Sequence, residues 1–221
     1  VRFATQFNMS TESSSFRTYK QLSAKNHEIE GNRFVIDGKV TYVPLYEGKM
    51  FWFFNHHFGE WPTSGKRPES IDVPSIEHLA NPHADLTPWY WVQDTDVEDK
   101  LVEKTKKGEI TWKWNHTWLM PYRQITNATN ERTFISTFIP STVGVGHSSM
   151  ILYTSKGVLC SVQLNAMMSS IVFDYATRQK VGGSNMSTFF VKQLPVLTPE
   201  QISSSGYERD IVERVAKLCW F

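Results

Sequence analysis

The chain is poor in several things at once. Its 221 residues contain two cysteines, Cys160 and Cys219, far apart and outside any Cys-x-x-Cys pair. That pattern leaves no cysteine zinc site and fits a reducing, cytoplasmic setting. Cys160 lies in the apolar run Val158 to Val162, as expected of a small buried hydrophobe. No run of about 18 apolar residues occurs, so no membrane span is expected. Net charge is only +1, with a pI near 7.9, so the strong basic signature of a small DNA-binding domain is missing. Any basic surface must come from local segregation of charge. Catalytic signatures are absent too: no His-Glu-x-x-His, no His-x-Glu with a downstream cysteine pair, and no paired-aspartate nuclease cluster. Asn8, Asn115, Asn127 and Asn185 open Asn-x-Ser/Thr sequons, but no signal peptide precedes them, so they read as chance matches.

Aromatics are abundant. Fourteen Phe, eight Trp and eight Tyr, within an apolar fraction of 40%, can fill a substantial core. Residues 1–32 are polar and irregular and are expected to be linker-like. The main body is expected over 33–198, with a final helix over 199–221. Asp37-Gly38 between two β-rich runs predicts a hairpin over 33–43. Trp61 to Pro88, punctuated by Pro68, Pro74 and Pro82, predicts a long surface excursion. A strand is predicted at Trp89 to Val92, a helix from Thr95 to Lys107, and strands over 110–119, 134–139 and 150–154. Leu164, Met167, Met168, Ile171, Val172 and Tyr175 recur at spacings of three and four, which predicts one amphipathic helix over 163–178. A strand at Phe189 to Val191 and a helix over 199–221, with Ile211, Val212, Val215 and Leu218 on its apolar face, complete the reading. The class is α+β, a twisted mixed sheet with packed helices. No Met stands at residue 1, and the chain stops on Leu218-Cys219-Trp220-Phe221 with no cap, so a piece of a longer protein is expected.

The informative stretch is Tyr122 to Leu194. Polar side chains, glycines and cations recur there beside apolar segments, the pattern of a rigid scaffold presenting polar groups to an extended anionic partner. The candidate contact residues are Lys49, Arg123, Asn130, Arg132, His147, Arg178, Gln179, Lys180, Ser184 and Asn185. Arginine suits guanine or phosphate and asparagine suits adenine. A plainer reading stands beside each. Asn130 to Thr133 can be a capping and salt-bridge cluster, and Arg178, Gln179 and Lys180 end a helix where cations meet the dipole anyway. Gly144-Val145-Gly146 lacks the third glycine and the βαβ context of a cofactor loop. Adjacent His56 and His57 point opposite ways in a strand and share a metal poorly.

In order and spacing, Pro44 to Met50, Trp118 to Arg123, Ala128 to Thr133, Gly144 to His147, Asp174 to Gly183 and Gln193-Leu194-Pro195 together resemble the C-terminal region of Eco57I-like DNA methyltransferases. These are large bacterial proteins of restriction-modification and phage-defence systems. The resemblance covers roughly residues 33 to 221. It implies a target recognition domain that binds double-stranded DNA and packs on the methyltransferase domain of the same polypeptide. No cofactor is implied for this piece; S-adenosylmethionine, with magnesium for any nuclease, belongs to the parent enzyme. The catalytic Asn-Pro-Pro-Tyr/Phe motif does not occur here, so binding rather than chemistry is implied. Family members often carry Asp-His-Arg where this chain has Asn55-His56-His57, and base-reading residues are expected within Trp61 to Trp118. Three rivals stay open: a scaffold domain packing on the methylase, a metal-dependent nuclease or hydrolase using His57, His116 or His147, and an aromatic-rich carbohydrate-binding module.

Overall fold

The computed structural model describes residues 1–25, 27–81 and 84–219. Pro82, Trp220 and Phe221, named above, lie outside the described residues. The fold is α+β. In chain order the elements are β1 (Arg2–Ala4), α1 (Tyr19–Ser23), β2 (Glu28–Glu30), β3 (Arg33–Ile36), β4 (Lys39–Tyr46) and α2 (Ile76–Leu79). Next come β5 (Trp91–Gln93), α3 (Asp94–Lys100), β6 (Val102–Lys104), β7 (Ile110–Lys113), β8 (Trp118–Arg123), β9 (Ile139–Pro140), β10 (Gly144–Val145) and β11 (Ser149–Tyr153). Five helices end the chain: α4 (Val158–Met168), α5 (Ile171–Lys180), α6 (Thr188–Val191), α7 (Pro199–Ser204) and α8 (Glu208–Cys219).

The strands form three sheets rather than the single mixed sheet expected. One has the order β1-β11-β8-β9 and is antiparallel throughout. The second has the order β10-β4-β3-β2, with β5 also on β4, and only its β10–β4 pair is parallel. The third is the β6–β7 ribbon. Alternation along a strand sends successive side chains to opposite faces, and the first sheet uses both. Leu119, Ile151 and Tyr153 pack with Tyr46, Val145 and Trp114 on one side. Met120, Tyr122 and Leu152 pack with Phe134, Met168 and Phe173 on the other. The first sheet is therefore a buried middle layer, between the second sheet and the helices α4 to α6.

The 33–43 hairpin forms as expected. Asp37 and Gly38 both have positive φ (50° and 72°), which a tight two-residue turn requires. The N-terminal segment departs from the linker expectation. β1 adds an edge strand to β11, Phe7 bridges in parallel to Gly146, and Arg17 exchanges backbone hydrogen bonds with Trp91. Phe7, Phe16 and Leu22 are buried. Three aromatic or aliphatic side chains at wide spacing carry no period, so the segment looks polar while supplying core.

The long helices predicted over 163–178 and 199–221 are each two. Ser169 and Ser170 interrupt the first: the Ser170 hydroxyl accepts from the Phe173 amide and starts α5 afresh. Gly206, at φ 76°, interrupts the second, beyond α7 with its Thr198 capping box. The break undoes the expected apolar stripe. Met168 is buried, but Ile171, Val172 and Tyr175 are 74%, 77% and 65% exposed. The helix expected over 95–107 stops at Lys100, and 102–104 turns back as β6. Phe189 to Val191 is one turn of helix, not strand. Over 134–139 only Ile139 belongs to a strand, and Ser136 makes a single bridge to Tyr122. Among the described residues no helix is long and apolar enough to cross a membrane.

Candidate nucleic-acid interface

β8 runs through the buried layer and emerges at Arg123, and the loop that follows is tightly held. The Gln124 amide donates to Ser148 O at 2.8 Å, and the Met186 amide donates to Gln124 O at 2.7 Å. The Thr126 amide donates to Ser184 O at 3.1 Å, and Ile125 bridges Asn185. The segments 124–126 and 184–186 thus run side by side as one strip of surface.

α5 holds the rest of the loop. Asp174, 5% exposed, accepts from the Thr133 and Phe134 amides through one oxygen, at 2.7 and 2.9 Å. Its other oxygen pairs with Arg178 Nε at 2.8 Å. The Arg178 guanidinium then donates to the carbonyls of Ala128 at 3.1 Å, Asn130 at 2.8 Å, and Glu131. A fixed planar fork of donors matches a curled run of carbonyls well. Arg178 is therefore a brace, and its donors face the protein. Asp174, which the sequence reading passed over, is the other half of that brace; its i,i+4 spacing to Arg178 is the signal that could have found it.

Arg123 is likewise committed inward. Its Nε donates to Phe51 O at 3.1 Å, and Nη2 donates to Phe51 O and, at 3.4 Å, to Lys49 O. Burial pushes its guanidinium down to about 10. Its Cζ lies 4.6 Å from the Trp52 ring centre. The segment it holds is a tongue: Trp52 and Asn55 exchange hydrogen bonds at 2.7 and 3.1 Å, with Phe53 and Phe54 at the tip. Phe54 has φ 60°, a left-handed conformation unusual for a bulky side chain. Trp52 stacks on Phe58, centroids 5.0 Å apart, and Arg132 from the neighbouring loop lies 4.9 Å above Phe53. The tongue and the 124–134 loop are thus one continuous surface.

The other expected contact residues fall as follows. Asn130 is exposed, its amide 3.5 Å from the Thr126 hydroxyl. Gln179 and Lys180 are exposed at the end of α5, and Lys180 Nζ reaches Gln193 Oε1 at 3.4 Å. Ser184 and Asn185 are exposed on the paired strip. Lys49 Nζ donates to Glu69 O at 2.5 Å and sits 5.8 Å from the Trp61 ring centre. His147 Nδ1 accepts from the Met9 amide at 3.3 Å, so that nitrogen faces the N-terminal segment. Arg67, not anticipated, pairs with half-buried Glu47 at 2.5 Å and stacks 4.4 Å over Trp61, tying the proline-rich excursion to the core.

His56 and His57 rings are 3.9 Å apart, tilted at 41°. Burial, and then His57, push the His56 imidazole down to about 4. Among the described residues no three His, Cys, Asp or Glu side chains gather as a metal site. No family model matches the chain, and no curated protein matches it.

Proposed function

We propose that this chain recognises double-stranded DNA, as a target recognition domain of the kind its motif order resembles, within a bacterial N6-adenine methyltransferase of a restriction-modification system. The observation that carries the reading is the braced loop 126–134. Its backbone carbonyls are held from behind by Arg178, while Asn127, Thr129 and Asn130 face solvent beside Ser184 and Asn185. Hydrogen-bonding side chains on an immobilised loop suit base-edge readout, because little ordering entropy remains to be lost on binding. Arg132 and Lys180 supply cations at the margins for phosphate. In this reading Arg178 positions the loop and Arg123 positions the tongue, through backbone carbonyls, rather than touching DNA. The methyltransferase domain of the same polypeptide would hold S-adenosylmethionine and the flipped adenine.

Fluorescence anisotropy with a mixed duplex at about 50 and 200 mM salt tests the reading. Steeply salt-dependent binding, weakened by Arg132→Ala/Lys180→Ala in a chain of unchanged stability, supports it. Absence of binding at the lower salt overturns it for this chain. A second reading, a surface that packs on another protein domain, is favoured by one observation: Ile171, Val172 and Tyr175 project from α5 into solvent.

A further inference from the structure

The Phe53–Phe54 tip of the tongue belongs to none of the hydrophobic core clusters among the described residues. It is a two-residue reversal closed by Trp52 and Asn55, with Phe54 in a conformation that glycine or asparagine would adopt at lower cost. Strain of this kind persists only where the surroundings enforce it, and it collects at working surfaces. Both tip rings are half-buried, and they meet edge to face at 6.0 Å. The base of the tongue is rigid: Phe51 is fully buried, Trp52 stacks on Phe58, and Arg123 grips the Phe51 carbonyl. Arg132 flanks the tip on one side, and the hydrogen-bonding loop 126–134 continues from it. A stiff apolar point set between a cation and polar readers matches the demands of one partner, a base-pair step of a duplex. Phosphates meet the cation, and the unstacked step receives the rings. A lipid surface would not call for the neighbouring Asn127, Thr129 and Asn130.

We propose that Phe53 and Phe54 form a wedge that enters between adjacent base pairs, so that this chain unstacks and kinks the duplex it binds. The inference rests on the DNA-recognition reading and adds deformation to it.

Wedge entry changes local twist at any site, so the test needs no knowledge of the recognised sequence. Closed circular plasmid is relaxed with a topoisomerase in the presence of the chain, stripped of protein, and its topoisomers are resolved. Filter retention of the same plasmid is measured in parallel. The wild-type chain is expected to shift the topoisomer distribution in proportion to the protein bound. Phe54→Asn and Phe54→Gly, which suit the left-handed backbone and keep the tongue folded by circular dichroism, are expected to lose the shift at least about fivefold while retention falls less than about threefold. Retention by the wild type without any shift, or an equal shift from the Phe54 variants, overturns the wedge and leaves recognition standing. No retention of plasmid by the wild type overturns recognition, and the wedge with it. Binding to anionic vesicles that Phe54→Asn abolishes, with topoisomers unmoved, also overturns the wedge.

Discussion

At the scale of single residues, Asp174 is the buried anchor of the candidate interface. It is nearly fully buried, accepts from two amides and pairs with Arg178. Asp174→Ala leaves those amides without a partner and the guanidinium without its counter-charge. The expected loss is about 2–4 kcal/mol, read as a lower urea midpoint. Asp174→Asn keeps one acceptor oxygen and is expected to lose about half as much. A second residue-scale effect concerns acid. His56 is held neutral in the fold, its imidazole pushed from 6.5 to about 4. The unfolded chain takes up that proton more readily, so acid favours unfolding: stability attributable to His56 is intact above pH 6.5 and falls as pH drops toward 4. The integrated loss is at most about 3 kcal/mol. Chemical denaturation at pH 7 and pH 4.5 checks it, and His56→Gln is expected to flatten the difference.

At the scale of elements, close approach and helix breaks decide. At Gly144 in β10 an added Cβ would lie 2.8 Å from a Val92 methyl and 3.0 Å from the Phe7 ring. Both neighbours are buried, so Gly144→Ala is expected to cost about 1–3 kcal/mol. The break at Ser169–Ser170 has the opposite lesson. The run Leu164 to Tyr175 keeps helical spacing across it, so period alone reads one helix with one apolar stripe. The hydroxyl of Ser170 ends that continuity and rotates Ile171, Val172 and Tyr175 outward. Val172→Gln is therefore expected to change stability by less than about 0.5 kcal/mol, which a thermal melt would show. Phe189 to Val191 departs from the strand expectation for a related reason: a short apolar run is ambiguous between strand and helix until its neighbours are known. By contrast the Asp37-Gly38 hairpin was legible, because its turn chemistry is local.

At the scale of the molecule, the N-terminal segment is part of both large sheets, which composition concealed. Its backbone pairings reach β11, Gly146 and Trp91, more than 70 positions away in each case. Phe7→Ala is expected to cost about 3–5 kcal/mol, and removal of residues 1–16 to abolish cooperative unfolding by urea. The candidate interface was partly legible. The loop that carries Asn130 and Arg132 is tied to Ser184 through the Thr126 amide and to α5 through Arg178, two positions before Lys180. The roles of Arg123 and Arg178 were not legible, because an arginine that grips carbonyls and one that grips phosphate look alike in a sequence. Only the positions of Phe51, Ala128 and Glu131 separate them.

The Asp174–Arg178 brace touches its loop almost wholly through main-chain amides and carbonyls. Nothing in that grip depends on which side chains the loop carries at 127, 129 and 130. The brace therefore tolerates changes at 129 and 130, so a library randomised at those two positions should fold as one family, whereas Asn127, whose Oδ1 accepts from the Thr129 amide at 3.0 Å, has to be kept.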